Sequence, residues 1–538
     1  MMLQSYSSIL SAPGIYGILL SMVFSAFACG GGGAGGGSAA VTISGTVHAG
    51  PVAGAAVVFR DINGAVACSA TTAGDGSFAM EIPGSFVIKD GVLEASGGTC
   101  TDEATGTNTT AGQLAAFTQG LSLKEGSAIN VTAGSTVVAR LIEDHGKSRY
   151  GAENFFGTAF GYIPDVRIEP VNAVAGSDDE RLAALRAGTF SQLNANLGLT
   201  PDQQFGLLEA LGTDLSDGIL NGKSGPDPVV LPGGGSIPED IQNLFEHALL
   251  EYLNNPNNLT GLDADGIGFL PFAKVALTDS YRVEYIPVDP GASLGRTPFT
   301  LQVTQRSTGD LVPGLDVAPL PVMHMATQEH STPVDDTTDN GDGTYDGAVY
   351  YLMAGGEGWG YWRLNIALDN GQGFESVDLF PAVGSPNLAY LRGQEDLVEG
   401  LGGGQKRVYY LIDDGLTVQN EAEGTYRFGL FVAAGEDEWS YPALATGLDL
   451  HDEDAAPWTV TSVTVQFSLD AVNWSPMTDE GGGHFTISGI TGLDPASSEL
   501  SLYVRLNVNG EQKTTDGAPE SGSNGYAALV TGGASCCF

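Results

Sequence analysis

The strongest constraint on the fold is a two-residue alternation of apolar and polar side chains that recurs along most of the chain. Successive side chains of a β-strand point to opposite faces, so the alternation is typical of strands with one buried face. Turns rich in Gly and Asp separate the alternating segments. Because 538 residues are too many for one core, the sequence predicts several β-sandwich domains in series. Clear examples of the alternation are residues 77–82, 282–286, 299–303 and 463–467.

Between about residues 141 and 265 the apolar residues instead take the spacing of helices. Thr200 with Gln203, and Ser236 with Glu239, fit the capping box that begins a helix, and an apolar stripe follows each pair. The sequence therefore predicts a small helical domain between the β-rich parts.

The predicted fold class is mainly β and multi-domain, with immunoglobulin-like sandwiches in the C-terminal half. A linker rich in turn residues, 381–404, is predicted between these two sandwiches. The predicted order is a signal peptide at 1–28, a Gly-rich tether at 29–40, a β-sandwich at 41–140, a helical domain at 141–265, immunoglobulin-like sandwiches at 266–385 and 386–515, and a loose C-terminal tail at 516–538.

The N-terminus indicates export. The uncharged apolar run 15–27 is shorter than the roughly 20 residues of a membrane-spanning helix and fits the apolar region of a signal peptide. Ala26, Phe27 and Ala28 precede Cys29, and a Gly-rich run follows it, which resembles the lipobox and tether of bacterial lipoproteins. The resemblance implies lipidation of Cys29 and an exported protein anchored at the outer membrane or cell surface. The alternative is ordinary cleavage after Ala28, which also implies export.

The charge of the chain excludes one class of partner. Lys and Arg number 21 against 64 Asp and Glu, a net charge of −43, and the acidic residues are spread along the chain. Nucleic-acid binding needs clustered basic residues for phosphate contacts, so it is not expected. Such an acidic surface keeps a protein soluble in a crowded envelope, and it also fits a saline habitat or the binding of divalent cations. The expected partners are the membrane, through the lipid anchor, and another protein.

The first β-rich module carries three recognisable segments: ISGTV at 43–47, PVAGA at 51–55 and TAGDGSF at 72–78. Together they resemble the carboxypeptidase regulatory-like, transthyretin-like domain, a resemblance that implies a small non-catalytic β-sandwich. Cys68 and Cys100 fall in this module, and in an oxidising compartment they are candidates for a disulfide. Cys536 and Cys537 are too close in sequence for an unstrained ring and are expected to be free or intermolecular.

A Met/His-rich segment is the candidate metal site. Met323, His324, Met325 and His330 fall within eight positions, and Met353 lies on a strand predicted to pair with this segment. Thioethers together with imidazole suit Cu(I). In a strand, Met323 and Met325 share one face and His324 takes the other, so a bulge is needed to bring all three together. The alternative is that the methionines are core packing.

The same segment is followed by a GDGTY turn at 341–345, by an apolar strand that ends at Met353, and by Trp359 and Trp362. This order resembles FixH-like and YtkA-like periplasmic domains, in which a Met/His-rich strand precedes such a turn. The resemblance implies an immunoglobulin-like fold, and some relatives of that family are linked to copper handling.

Calcium is a less favoured cofactor. The Asp/Gly clusters at 263–266, 335–343 and 451–454 lack the ligand spacing of an EF-hand and fit turns better.

Enzyme motifs are absent or misplaced in the sequence. The GASLG segment at 291–295 leads into a strand instead of the helix that a nucleophile elbow needs. The chain is therefore not expected to be an enzyme, although an unrecognised site is a third alternative.

Two functions remain after these exclusions. The first is an exported cell-envelope lipoprotein that serves as a binding module and captures or delivers Cu(I). The second is a structural or adhesin-like surface protein that holds no metal and engages a protein or matrix partner. Thioethers that are open to solvent around one point would favour the first, and thioethers buried among core side chains the second.

Overall fold

The computed structural model describes residues 39–119, 123–268, 270–288, 293–386, 388–399, 404–493 and 500–531. It confirms the predicted fold class, which is mainly β and multi-domain. The predicted signal peptide, Cys29, Cys536 and Cys537 lie outside the described residues. Within the described ranges, no helix is both long enough and apolar enough to cross a membrane.

The N-terminal module is a β-sandwich. One sheet has the order β10-β1-β4, with β9 also pairing with β1, and the other has the order β3-β2-β5-β8. Its elements are β1 Val41–His48, β2 Ala56–Asp61, β3 Val66–Thr71, β4 Ser77–Ile82, α1 Gly84–Val87, β5 Gly91–Ser96, β6 Thr99–Thr101, β7 Asn108–Thr110, β8 Gln113–Thr118, β9 Ser127–Ala128 and β10 Val131–Thr132.

The helical part follows β10 directly. Its elements are α2 Ala133–Glu143, α3 Arg149–Phe160, α4 Asp178–Asn196, α5 Gln204–Asp214, β11 Lys223–Ser224, β12 Asp227–Pro228 and α6 Ile241–Leu253, with 3-10 turns at Pro201–Gln203, Leu215–Asp217 and Ala264–Gly266.

The two predicted capping boxes have different outcomes. The Thr200 backbone N–H donates to Gln203 Oε1 at 2.8 Å, as predicted. The prediction at Ser236 is wrong, because Ser236 forms a β-bridge with Val230 and the helix begins only after Asp240. Ser236 lies four positions before Asp240, the residue at the N-cap position, and is therefore too far from the helix to cap it.

The sandwich and the helices share one hydrophobic core. That core joins Phe59 of β2 to Phe190 and Phe245 of the helices. Helix α2 lies against β8, where the Ala115 backbone N–H donates to Thr136 Oγ1 at 3.0 Å. The predicted boundary at residue 140 falls inside α2, so the two predicted domains form one packed unit.

The first immunoglobulin-like sandwich places the sheet β13-β14-β15-β19-β18, with β22 beside β15, against the sheet β17-β16-β20-β21. A separate core fills the space between these sheets, and Trp362 is its largest fully buried side chain. Its strands are β13 Val275–Leu277, β14 Tyr281–Pro287, β15 Ser293–Gln305, β16 Asp316–His324, β17 Glu329–His330, β18 Val334–Asp339, β19 Thr344–Tyr351, β20 Tyr361–Asp369, β21 Phe374–Leu379 and β22 Gly384–Pro386.

The second immunoglobulin-like sandwich pairs the sheet β23-β24-β25-β31-β30 with the sheet β29-β28-β32-β33, in which β34 also pairs with β32. Its strands are β23 Leu388–Val398, β24 Gln405–Asn420, β25 Thr425–Ala434, β26 Asp449–His451, β27 Pro457–Thr459, β28 Val463–Ser468, β29 Ser475–Pro476, β30 Thr478–Gly481, β31 His484–Ile490, β32 Leu500–Val508, β33 Glu511–Gln512 and β34 Ala527–Thr531.

Two sequence predictions are corrected in this sandwich. The predicted linker at 381–404 contains β22 and β23, and β23 pairs with β24 along most of its length. The predicted loose tail is wrong for residues 516–531, because β34 pairs with β32. Ala527 and Leu529 of β34 are buried in the core while Val530 is exposed, so a short alternation holds this segment in place.

The predicted disulfide is not formed. Cys68 lies on β3 and its Sγ contacts Met80 Sδ at 3.5 Å, whereas Cys100 lies on β6 in a separate two-stranded sheet. Burial, with the nearby Glu103 and Asp102 charges, raises the pKa of the Cys100 thiol to about 12, so it stays protonated at neutral pH. Both cysteines are therefore buried thiols in this structure.

Buried contacts join the modules to one another. Leu249 and Tyr252 of α6 belong to a small core with Phe380, which follows β21. Tyr350 of β19 stacks on Phe431 of β25, with ring centroids 4.0 Å apart. Hydrophobic contact of this kind restricts the relative motion of neighbouring domains.

Polar contacts reinforce the junction between the two C-terminal sandwiches. Arg296 Nε lies 3.1 Å from Asp414 Oδ1, and His484 Nδ1 lies 3.0 Å from Asp414 Oδ2. The hydrogen bond with Asp414 raises the pKa of His484, and burial opposes this effect. Protonation of the imidazole therefore strengthens its contact with Asp414 at this junction.

We expect His484→Gln to weaken the C-terminal sandwiches more at acid than at alkaline pH. Because the folded pKa of His484 is raised, its contribution is fully present below the unfolded value of 6.5 and is lost as pH rises through the folded pKa. Thermal unfolding of both proteins at about pH 5.5 and about pH 8.5 measures this difference. His145→Gln, in the N-terminal unit, is the matched control. A loss of stability that does not depend on pH would contradict the assignment.

Candidate functional site

The Met/His segment forms one edge of the sheet β17-β16-β20-β21. Met323 of β16 lies opposite His330 of β17 on one side and opposite Trp362 of β20 on the other. Side chains along β16 alternate between buried and open positions, and Met323 takes a buried one. Its side chain is 0% exposed, so its sulfur lies inside the core.

Trp362 is the centre of this part of the core. Its Nε1 donates to the Met353 carbonyl at 2.9 Å, and the His330 ring approaches it edge-on with centroids 5.4 Å apart. Met325 and Met353 are partly buried and pack against the same core. The structure therefore gathers Met323, Met325, His330 and Met353 on the Trp362 side of the sheet.

His324 lies on the opposite face, as the alternation predicts. Its ring stacks on Tyr361, with centroids 4.9 Å apart, and its Nδ1 lies 2.7 Å from Glu329 Oε1. Burial lowers the pKa of His324, and the hydrogen bond with Glu329 opposes this effect. His324 therefore does not join the other predicted ligands.

His330 has the features of a neutral imidazole. Burial lowers its pKa, and a hydrogen bond to the Ser331 carbonyl opposes this effect. Nδ1 lies 2.7 Å from that carbonyl, so Nδ1 carries the proton and Nε2 keeps a lone pair. This tautomer can bind a metal through Nε2.

The chemistry available here is that of a soft site. Among the residues that the structure describes, no group of at least three His, Cys, Asp or Glu side chains could hold a metal ion. A metal ion on the Trp362 side of the sheet would therefore be bound mainly by methionine thioethers, a ligand set that suits Cu(I). The burial of Met323 among core side chains equally fits a packing role.

The Asp/Gly clusters use their carboxylates in turns. Asp339 Oδ1 accepts the Gly341 N–H at 2.8 Å, and Asp342 Oδ1 accepts the Thr344 N–H at 3.0 Å. Asp452 Oδ1 accepts two backbone N–H groups in the same manner. These contacts fit the turn interpretation of the clusters.

Sequence reasoning missed a cleft in the N-terminal unit, with a volume of about 460 Å³. At its wall, His48 Nε2 lies 3.0 Å from Glu103 Oε1, and the buried Glu103 Oε2 has no hydrogen-bond partner among the described residues. Asp75 and Glu169 line the same cleft, so it favours cationic or hydroxyl-rich ligands. No motif in the sequence links His48 with Glu103. Glu103 lies between β6 and β7, and the fold brings that segment next to His48 at the end of β1.

Two tryptophan side chains, Trp359 and Trp439, are each 54% exposed. They flank the hairpin that contains the Met/His segment: Trp359 lies in the loop before β20, and Glu438 beside Trp439 accepts the Ser331 N–H through its carbonyl at 2.7 Å. Trp362, by contrast, is buried.

No protein-family model and no curated protein matches the chain. Among solved structures, it is similar to the Escherichia coli adhesin FdeC, with 19% identity over 46% of this chain and 63% of that chain, and a TM-score of 0.14. It is also similar to invasin, a bacterial integrin-binding protein, with 11% identity over 87% of this chain and 56% of that chain, and a TM-score of 0.14. A DUF4785 family protein from Legionella pneumophila shows 12% identity over 43% of this chain and 54% of that chain, with a TM-score of 0.14.

The chain thus spans between 54% and 63% of the length of these three proteins. At such identities and TM-scores, the similarity carries no inference about function.

We expect Met323→Ala to lower the free energy of unfolding by about 2–5 kcal/mol, because it leaves a cavity in the core. Met323→Leu keeps the volume, so it should cost less than about 1.5 kcal/mol. Urea denaturation of the two variants and the wild type measures both effects. If Met323→Leu costs as much as Met323→Ala, the sulfur has a role that packing does not explain.

Proposed function

We propose that the chain is an exported cell-envelope protein that acts as a structural or adhesin-like surface module and engages a protein or matrix partner. The observation that carries the proposal is the buried contact at each junction between modules. Leu249 and Tyr252 pack with Phe380 at one junction, and Tyr350 stacks on Phe431 at the next. Modules that are joined in this manner hold a fixed order in space, as a protein that projects from a surface requires.

The junctions also resist bending through polar contacts. Asn243 Nδ2 donates to the Asp378 carbonyl at 2.8 Å, across the first junction. Arg296 lies between Asp335 of its own sandwich and Asp414 of the next, at 3.6 and 3.1 Å. Partly buried ion pairs fix the relative orientation of the two modules, because their charged groups meet in only one arrangement.

The partner-facing surface that we favour lies around Trp359 and Trp439. Exposed tryptophans are costly in water and are common at the centres of protein interfaces. Both residues flank one hairpin, and Leu320 on the outer face of β16 is also exposed. A net charge of −43 keeps the rest of the surface soluble and gives a partner's basic residues a complementary surface.

We expect an antibody against residues 39–531 to label intact bacterial cells that make the protein, and external protease to remove the label. Cys29→Ser tests the lipid anchor: the variant should be exported but released into the medium, because a lipid chain holds the wild type on the membrane. Labelling that requires permeabilised cells would contradict surface exposure. A Cys29→Ser variant that stays with the cells would contradict the anchor.

A second candidate function, Cu(I) capture or delivery, is favoured by one observation: Met323, Met325, His330 and Met353 lie on the Trp362 side of one sheet. His330 supplies a neutral imidazole there, and the thioethers supply soft ligands.

The copper proposal is tested with the full chain, reduced and anaerobic, in competition with a Cu(I) chelator. We expect stoichiometric binding to the wild type and to His324→Gln, whose side chain lies on the other face. The triple variant Met323→Leu, Met325→Leu, Met353→Leu should lose it, because Leu keeps the packing but lacks sulfur. Equal binding by wild type and triple variant would exclude this site.

A further inference from the structure

Charged side chains form a cluster inside the second immunoglobulin-like sandwich. Arg407 and Lys513 are 0% exposed, and Asp396 is also buried. Lys and Asp are almost never buried so completely unless they are paired. Asp396 lies on β23, the first strand of this sandwich. Lys513 follows β33, near the C-terminal end of the sandwich.

Lys513 and Asp396 are in direct contact. Lys513 Nζ lies 2.9 Å from Asp396 Oδ2 and 2.9 Å from Glu511 Oε1. Aromatic rings close the space around the amine: its nitrogen lies 5.0 Å from the Tyr409 ring centroid and 5.9 Å from that of Trp458. The amine and the carboxyl group therefore meet in a space that excludes bulk water.

The two oxygens of Asp396 have different partners. Oδ1 accepts from Arg407 Nε at 3.0 Å. Oδ2, the oxygen next to Lys513, also accepts from the Tyr409 hydroxyl. This arrangement suits a reaction in which the carboxyl group keeps Oδ1 and loses Oδ2. The Arg407 guanidinium can stabilise negative charge on Oδ1, and the Tyr409 hydroxyl can donate a hydrogen bond to Oδ2 as it leaves.

Glu511 is held in position beside this pair. Its Oε1 accepts the Gln394 backbone N–H at 2.7 Å, and its Oε2 accepts that of Glu395 at 3.0 Å. Both donors belong to β23, the strand that carries Asp396. The carboxylate is thus fixed where it can accept a proton from Lys513 Nζ.

We propose that Lys513 and Asp396 react with each other to form an intramolecular amide bond, Nζ to Cγ, with release of one water molecule. The bond ties the first strand of the second immunoglobulin-like sandwich to its C-terminal end, across 117 positions of sequence.

The reaction balances without any other reactant. A proton passes from Nζ to Oδ2, which converts the ion pair into a neutral amine and a neutral carboxyl group. The Nζ lone pair then bonds to Cγ, and the negative charge forms on Oδ1 beside Arg407. Nζ gives one proton to Glu511, which passes it to the Oδ2 hydroxyl. The Cγ–Oδ2 bond breaks, water leaves, and the carbonyl re-forms at Oδ1 with one hydrogen on Nζ.

The surroundings favour this reaction. Burial penalises the ammonium and carboxylate forms, so loss of both charges removes a desolvation cost. The groups are held in contact by the fold, which replaces a bimolecular encounter with an intramolecular one. The Tyr409 and Trp458 rings keep water from the product, so hydrolysis is slow.

Tryptic digestion of the folded wild-type chain, followed by mass spectrometry, tests the proposal. Trypsin cuts after Arg392, Lys406, Arg505 and Lys513 in an unlinked chain and yields peptides 393–406 and 506–513. We expect instead peptide 393–406 joined to a peptide that begins at residue 506 and runs through an uncut Lys513. Its mass should be lower than the sum of the two parts by one water molecule.

Lys89 and Asp61 provide an internal control in the same digest. Their Nζ and Oδ2 atoms lie 2.8 Å apart, but the Lys89 side chain is 44% exposed. We expect ordinary cleavage after Lys89 and peptide 61–89 at full mass, because water surrounds this amine.

Lys513→Arg keeps the positive charge and should remove the linked peptide. Glu511→Gln should lower the linked fraction, because the amide cannot accept the Nζ proton. Should either variant fail to fold, the wild-type digest still decides. Peptides 393–406 and 506–513 recovered separately at full mass from the folded wild type would overturn the proposal.

Discussion

The two C-terminal sandwiches meet where Tyr350 stacks on Phe431, and several other contacts surround this stack. The Tyr350 hydroxyl donates to Asp335, which lies 3.6 Å from Arg296, and Arg296 reaches Asp414 of the second sandwich. The Tyr350 ring thus packs against the second sandwich, and its hydroxyl binds a carboxylate that belongs to the ion pairs of the junction. Because Tyr350 and Arg296 lie opposite each other on paired strands, strand register places both residues where they contact the second sandwich.

Much of the fold could be predicted because strand alternation records which face of a strand is buried. It correctly separated Met323 from His324, and it predicted both immunoglobulin-like sandwiches. It failed where packing between distant segments decides the structure. Helix α2 completes the core of the first sandwich, so no local signal at residue 140 could indicate where one predicted domain ends. At Ser236 a local helix signal was outweighed by a β-bridge to Val230.

The candidate site was predictable in its residue types and not in its geometry. The concentration of methionine and histidine singled out the segment, but Trp362 as its centre depends on the register of β16 against β20. The cleft at His48 and Glu103, and the contact of Lys513 with Asp396, join residues 55 and 117 positions apart. Pairings of that kind leave no periodicity in the sequence, because they arise only when the sheets close.

The shared core of the first sandwich and the helices bears on how such a chain can evolve. A β-sandwich that has its own hydrophobic core can be duplicated, transferred or lost as an independent domain. Here Phe59 of the sandwich and Phe190 of the helices fill one core, so neither part keeps a dry interior without the other. Separating the two parts within residues 41–253 would expose apolar surface, whereas the sandwiches that follow have cores of their own.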